Sequence, residues 1–341
     1  MKYFVPEWER QCATIIAMPH KNSDWKPYLA EAQEKVREII AQIARFQPTI
    51  VLYENECDAK KLRGQKNVIL LQVPLNDSWC RDFSPLSVKK GGKKNGKLVL
   101  LDFVFNAWGA KYPANLDNLA GMEIFTQLQK MGFFKKPVIF KQKNFILEGG
   151  SVETNGEILL TTAQCLLSKN RNNLSKVRLT QKLQKYLGAK RVIWLENGFL
   201  EGDDTDSHID NLARFVDKKT IVYLKCEDEN DAHFRAIEAM EAELKKKCGD
   251  FKLVPLPLPR AIFYDGARLP ASYVNFIFVN GAIFVPVFGD ENADKKAIAI
   301  FKKLVKNREI VPIDSRVLIR QGGGLHCATM NLMFGGLEFV K

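Results

Sequence analysis

Close to its end the chain runs Gly322-Gly323-Gly324-Leu325-His326-Cys327. Three successive glycines give up conformational entropy for a backbone that can bend, or that lets another group approach closely. A cysteine that only fills a core has no use for such a backbone, and most free cysteines are small buried hydrophobes. A nucleophilic thiolate does have a use for it, because the atom it attacks must come within about 3.5 Å of sulfur. Cys327 is therefore the first candidate nucleophile. Three further stretches carry acids and bases at high density. Asn76-Asp77-Ser78-Trp79-Cys80-Arg81-Asp82 follows Pro74, where a strand is predicted to end. Leu147-Glu148-Gly149-Gly150 sets one acid beside two glycines after an apolar run. Glu201-Gly202-Asp203-Asp204-Thr205-Asp206-Ser207-His208-Ile209-Asp210-Asn211 is denser still.

Each stretch also has a plainer reading: a polar loop with an Arg81–aspartate pair, a turn, and an acidic surface loop. The last is no EF-hand. Counted from Asp204, Ile209 holds the place of the invariant glycine and Phe215 that of the bidentate glutamate. What remains is His208-x-Asp210, whose spacing puts both side chains on one face of an extended strand. His326 adjoins Cys327, but strand neighbours point to opposite faces, so His208 is the better partner for the thiol. A hydrolase of the usual kind needs one carboxylate to orient its histidine. Several converging carboxylates imply instead a cationic substrate. Guanidinium is planar, always charged and pairs bidentately with carboxylates. Thiol, imidazole and paired acids together suit attack on the central carbon of a guanidine.

These motifs resemble those of the agmatine deiminase / bacterial peptidyl-arginine deiminase family, within the guanidino-group modifying superfamily. The resemblance runs from Pro6-Glu7-Trp8 through Asn76–Asp82, Glu148-Gly149-Gly150, Gly202–Phe215 and Arg268-Leu269-Pro270-Ala271-Ser272-Tyr273 to Gly322–Thr329. It implies an α/β fold, the five-bladed α/β propeller (pentein) with pseudo-fivefold ββαβ-type repeats, as a single catalytic domain over residues 1–341. It also implies roles. Cys327 would attack the guanidinium carbon and form a covalent thiouronium intermediate. His208 would donate a proton to departing ammonia and then activate water. Asp82 and Asp210 would hold the guanidinium nitrogens, Glu148 would support the site near His208, and Trp79 would wall the pocket.

No metal and no cofactor is implied. The implied reaction converts agmatine to N-carbamoylputrescine and ammonia, a step of putrescine biosynthesis. The alternative within this chemistry is deimination of peptidyl arginine, in which Arg214 would meet a carboxylate; its plainer role is a structural ion pair. The resemblance leaves room for a homodimer. Met330, Asn331 and Met333 stand where the family has glutamines and a proline, and Ser207 where glycine is common. Three close carboxylates should raise at least one pKa, and affinity for a cation is expected to fall below about pH 5.

The elements that must position these groups are read from periodicity and turn signals. Residues 12–18 form an apolar run read as a buried strand, and residues 28–46 keep Leu29, Ala32, Val36, Ile39, Ile40 and Ile43 on one helical face. Strands are predicted at 50–53, 68–73, 97–104, 138–140, 145–147, 192–195, 220–224, 309–311 and 317–318. Residues 253–258 read as an edge strand because of their prolines. Hairpins are predicted at Gly91-Gly92/Asn95-Gly96, at Asn155-Gly156 and at Asn280-Gly281. Helices are predicted at 117–131, 171–187 with Gly188 as cap, 230–248 closed by Gly249, and 293–306. Hairpins interrupt the β–α rhythm of a doubly wound sheet, and no G-x-G-x-x-G follows a strand.

Bulk properties narrow the class. The chain has 341 residues, 46% hydrophobic and 26% charged, and no apolar run long enough to span a membrane. No signal-peptide core opens it, and a cytoplasmic protein with no membrane partner is expected. Its seven cysteines are irregularly spaced, without C-x-x-C, which suggests neither disulfides nor structural zinc. The net charge of +12 admits a basic nucleic-acid-binding protein as an alternative from another class. The lysines are scattered and no nucleic-acid motif accompanies them, so a small cationic guanidine is the preferred partner.

Overall fold

The computed structural model describes residues 2–91 and 96–333 of the chain. Its α/β architecture contains six sheets among the described residues. Four of them repeat one construction. A short antiparallel hairpin leads into a helix, and the helix returns the chain to a strand parallel to the hairpin's second strand. In the first, Leu86–Lys90 pairs with Lys97–Val104, the helix Asp117–Lys130 follows, and Ile139–Ile146 lies parallel. The next has Glu153–Thr154, Ile158–Thr162, the helix Lys176–Leu187 and Arg191–Leu195. The third has Ala213–Phe215, Thr220–Lys225, the helix Phe234–Lys247 and Lys252–Pro257. The fourth has Ile277–Val279, Ala282–Val287, the helix Glu291–Leu304 and Glu309–Asp314.

A fifth sheet has the same construction but joins the two ends of the chain. Thr329–Met333 pairs antiparallel with Gln11–Ala17, the helix Leu29–Ala44 follows, and Thr49–Tyr53 and Val68–Gln72 add parallel strands. This places the segment just after Cys327 beside the first long strand. Every residue of Gln11–Ala17 is buried, as a strand covered on both faces requires. The helix Leu29–Ala44 buries Ala32, Val36, Ile39, Ile40 and Ile43, the stripe expected from the sequence. The sixth sheet is a small hairpin, Phe263–Tyr264 with Ala267–Arg268, turned by Asp265 and Gly266 at positive φ.

Gly156 and Gly281 turn the two predicted Asn-Gly hairpins at φ 92° and 80°. At the other, the flanking strands pair as expected, while turn residues 92–95 lie outside the described residues. Four local expectations are corrected. Residues 138–140 and 145–147 belong to one strand, Ile139–Ile146. The helix expected from 171 begins at Lys176, capped by Ser175, because Arg171 and Asn172 are drawn into other contacts. The helix Phe234–Lys247 begins later than 230 and ends at Cys248 without a left-handed Gly249. Residues 317–318 are no strand: Leu318–Gln321 is a 3-10 turn that stops on left-handed Gly322. Lys252–Pro257 is an edge strand, as its prolines demand. No helix among the described residues is long and apolar enough to cross a membrane.

Candidate active site

Cys327 sits in the turn between Gly322 and the strand Thr329–Met333, not on a strand. Its carbonyl accepts the Arg81 backbone N–H, which ties it to the short helix Cys80–Phe83 that carries Asp82. Asp82 points its carboxylate at two donors: Gly150 N at 2.8 Å from Oδ1 and Trp108 Nε1 at 2.9 Å from Oδ2. His208 and Asp210 lie at a 3-10 turn, Ile209–Asn211, with His208 at its cap. The extended-strand argument for their shared face is therefore wrong, but the two side chains do converge. The point where they meet is Gly150. A Cβ there would lie 2.7 Å from His208 Nδ1, 2.9 Å from Asp210 Oδ2 and 3.0 Å from Asp82 Oδ1. Only glycine lets these three groups close over the backbone.

The three glycines before the cysteine are explained in the same way. A Cβ on Gly322 would crowd Gly202 O at 3.2 Å, with Asp204 beyond it; on Gly323 it would overlap the Trp79 ring at 2.4 Å; on Gly324 it would strike Asn275 Oδ1 at 2.4 Å. Asn275, in turn, aims its amide Nδ2 at Cys327 Sγ, 3.3 Å away, and the thiol lies 3.7 Å from Asp210 Oδ2. Trp79 forms a wall of a cavity of about 210 Å³ that Cys327, Asp82, Trp108 and Tyr112 also line. Three more carboxylates, Asp24, Asp77 and Asp204, stand around the same cavity.

Burial sets the electrostatics. Asp82 is pushed up from the ordinary carboxylate range to about 7, chiefly by desolvation. Desolvation, then the neighbouring Asp82, raises Asp210 well above its usual value. The Cys327 thiol is likewise raised, by burial and then by Asp210 and Asp82, so it is protonated at neutral pH. His208 is driven well below its usual value by burial, then by Arg171 and Lys111, and is neutral. Both of its ring nitrogens and Asp210 Oδ1 are buried without a hydrogen-bond partner. Orphaned buried polar atoms are rare and costly; here three of them sit on the two side chains that meet over Gly150. With Asp82 at about 7, the expected loss of cation affinity near pH 5 moves up to near neutrality.

Glu148 is fully buried and its charge is matched by Arg171, whose Nε lies 2.8 Å from Oε1. The same guanidinium bonds Asp206 at 2.6 Å and the Thr205 carbonyl at 2.9 Å, which anchors the loop leading into His208. Asp206 and Ser207 in that loop are left-handed, at φ 66° and 64°, and glycine would hold the second place with less strain. Glu148, Cys165 and His208 each place one donor atom within 4.8 Å of the others, close enough to share a metal ion. The Arg171 cation already occupies the carboxylate of that trio. Beneath the site, Arg214 is buried against Glu153 at 2.7 Å and Glu7 at 2.9 Å, a structural pair. Asn331 accepts from Arg81 Nη2 at 2.8 Å and Met330 packs under the same guanidinium. These departures thus brace the floor and do not line the cavity.

Sequence reasoning picked out Cys327, His208, Asp210, Asp82, Glu148 and Trp79, and all six lie at or beside this center. It missed Asn275, which follows the Ser272-Tyr273 motif without any distinguishing spacing. It also missed Trp108, whose signal is a positive-φ run through Ala107, Trp108, Gly109 and Ala110 that no sequence pattern displays. Strain of this kind gathers at functional sites. His326 is excluded as the base for Cys327, though for another reason than strand alternation: both its nitrogens are held by carboxylates, Asp210 at 2.7 Å and Glu7 at 2.8 Å.

Comparison with known proteins bears on this geometry. The family of Porphyromonas-type peptidyl-arginine deiminases matches residues 3–332. The chain is similar to an agmatine deiminase of Medicago truncatula, 31% identical, over 95% of this chain and 94% of that one. Among solved structures it is similar to a C. jejuni agmatine deiminase with a cysteine-to-serine substitution and substrate bound. The TM-score is 0.91 at 40% identity, covering 98% of this chain and 97% of the other. An agmatine deiminase of Enterococcus faecalis superposes with a TM-score of 0.84 at 26% identity, over 97% and 96% of the two chains.

Proposed function

The chain belongs to the Porphyromonas-type peptidyl-arginine deiminase family, and from that premise we propose that it is an agmatine deiminase, a hydrolase that converts agmatine to N-carbamoylputrescine and ammonia. The observation that carries the reading is the meeting of Asp82, Asp210 and His208 over Gly150, with the Cys327 thiol beside Asp210. Two buried carboxylates facing one point are destabilised until a planar cation enters between them. Asp210 Oδ1 then gains the donor it lacks. Cys327 attacks the guanidinium carbon. His208, neutral in the free protein, takes the thiol proton and passes it to the departing ammonia. The thiouronium intermediate is then hydrolysed by a water that His208 activates. Glu148, fixed by Arg171, holds the wall behind His208, and Trp79 covers the alkyl chain.

The cavity favours agmatine over arginine. Asp24, Asp77 and Asp204 attract the ammonium at agmatine's tail and repel the α-carboxylate of free arginine, while Arg320, which lines the same cavity, is engaged by Glu31 at 2.6 Å. Arg214, the residue that peptidyl-arginine recognition would call on, is buried between Glu7 and Glu153 instead. We also read the five ββαβ-type sheets as the blades of a five-bladed propeller forming one catalytic domain; their shared construction supports this. The test is ammonia release from agmatine, free arginine and an arginine-containing peptide, side by side. Agmatine is expected to be turned over preferentially, and Cys327→Ala to lose on the order of 10⁴-fold or more of the rate. Preference for the peptide would move the function to protein deimination. No release from any of the three would overturn the enzyme reading, as a nucleic-acid-binding protein would require.

A further inference from the structure

His326 has no part in the chemistry just described, yet it is buried between two carboxylates. Its Nε2 lies 2.8 Å from Glu7 Oε2 and its Nδ1 lies 2.7 Å from Asp210 Oδ2. The protons can be placed from geometry. Glu7 is surrounded by donors: Arg214 Nη2 at 2.9 Å and Phe278 N at 2.7 Å, with Arg81 Nη2 at 3.5 Å. It is therefore ionised and can only accept, so His326 Nε2 carries a hydrogen. The 2.7 Å contact between Nδ1 and Asp210 Oδ2 then needs one further proton, which either atom can hold. The pair is a neutral imidazole with a carboxylic acid, or an imidazolium with a carboxylate. The proton count is the same.

We propose that His326 is a positioning residue that stores the Asp210 proton: when a guanidinium enters, the proton moves from Asp210 Oδ2 to His326 Nδ1, and it returns when the neutral ureido group of the product leaves. This rests on the reading that a guanidinium binds Asp210. One O–H bond breaks and one N–H bond forms, and no proton is exchanged with solvent. In the free protein the surroundings favour the acid form. Asp82 crowds Asp210, while Arg214 and Arg81 press on His326, whose backbone carbonyl accepts from Arg81 Nε at 3.2 Å. The same arginines favour the Asp210 carboxylate and Glu7 favours the imidazolium, but burial, which disfavours both charged forms, is the larger effect. Burial, then those two arginines, pushes His326 well below its usual value. A bound guanidinium reverses the balance by stabilising the carboxylate. Charges then alternate along one line: Arg214, Glu7, His326, Asp210, substrate. Glu153, on the far side of Arg214, keeps that guanidinium matched. The arrangement gives a ready carboxylate for the guanidinium and removes it again when the uncharged ureido end of the product must dissociate.

The full chain carrying Cys327→Ser, which binds without turnover, is titrated with agmatine at pH 8.5 in buffers of different ionisation enthalpy, with and without His326→Asn. The asparagine amide can donate to Asp210 but cannot take its proton. The expected result is about one more proton released to buffer in the double variant. The ¹⁵N resonances of His326, one of four histidines, should move from neutral to imidazolium on saturation of the single variant; this needs no change at His326, so it stands even where the asparagine variant does not fold. Equal proton release, or a His326 that stays neutral at saturation, would overturn the switch. No agmatine binding to the single variant, and no ammonia from the unaltered protein, would overturn the substrate reading and the switch with it.

Discussion

Gly323→Ala tests whether the middle one of the three glycines before the cysteine exists to admit Trp79. Gly323 has no left-handed backbone, so an alanine there meets no φ strain and its effect is purely steric. Its Cβ would lie 2.4, 2.5 and 2.8 Å from three carbons of the Trp79 ring, where ordinary contact begins at 3.4 Å. Either the ring or the loop must retreat by about 1 Å, and a displacement of that size near reacting atoms costs roughly 10²-fold in rate. The ring lines the cavity on one side and is backed by a second ring on another. Behind it stands Trp25, 5.5 Å away between centroids, itself buried and hydrogen-bonded to Ser78 at 2.8 Å. Either the loop carrying Cys327 moves or the ring is pushed into the cavity it lines, and both displace groups at the reacting atoms.

We expect kcat/KM for agmatine to fall by about 10²-fold and stability to drop by about 1–3 kcal/mol, the usual cost of overpacking. Continuous ammonia detection reads the first and urea denaturation the second. Gly249→Ala is the control, because its nearest neighbour, Lys245 O, lies 3.3 Å from the added carbon and is far from the cavity. An alanine at 323 that keeps kcat/KM within about twofold of the unaltered protein would refute the reasoning, whatever its effect on stability.

The remaining three predictions rest on buried charge. Asp82 is raised to about 7, so its cation-binding, ionised form prevails only above that value; kcat/KM for agmatine should climb as pH rises through about 7, and a profile flat from pH 5 to 8 would contradict the assignment. The same shift has a stability sign. Asp82 and Asp117, at about 7, and Asp77, Asp102 and Asp203, at about 6, hold protons in the fold that the unfolded chain has lost. Their contribution therefore declines as pH rises from about 4 to 7, and saturating agmatine should restore part of it at pH 8, as read by thermal unfolding. Separately, Arg171→Gln leaves Glu148 buried without its cation; a loss of about 3 kcal/mol is expected in urea denaturation. Arg171→Lys should recover only part, because its ammonium cannot span Glu148, Asp206 and the Thr205 carbonyl together. An unchanged midpoint for the glutamine variant would show that the pair carries no stability.

Residue type and local spacing determined much of this protein. Gly322-Gly323-Gly324, Glu148-Gly149-Gly150 and His208-x-Asp210 were visible as chemistry because glycine clusters and dense charge are local properties of the chain. The Asn-Gly turns at Gly156 and Gly281 and the stripe on Leu29–Ala44 were legible for the same reason. Tertiary structure decided what depends on groups far apart in sequence. It brought His326 between Glu7 and Asp210, 319 and 116 positions away, and so turned an apparent neighbour of the nucleophile into a partner of two acids. It placed Asn275 on the thiol and Trp108 on Asp82. It replaced the expected strand at His208 with a tight turn and still brought the side chains together over Gly150. Protonation states belong to this second group. An aspartate reads as a charge in any sequence; only the removal of water around Asp82 and Asp210, and the cations held under His326, decide where the protons sit.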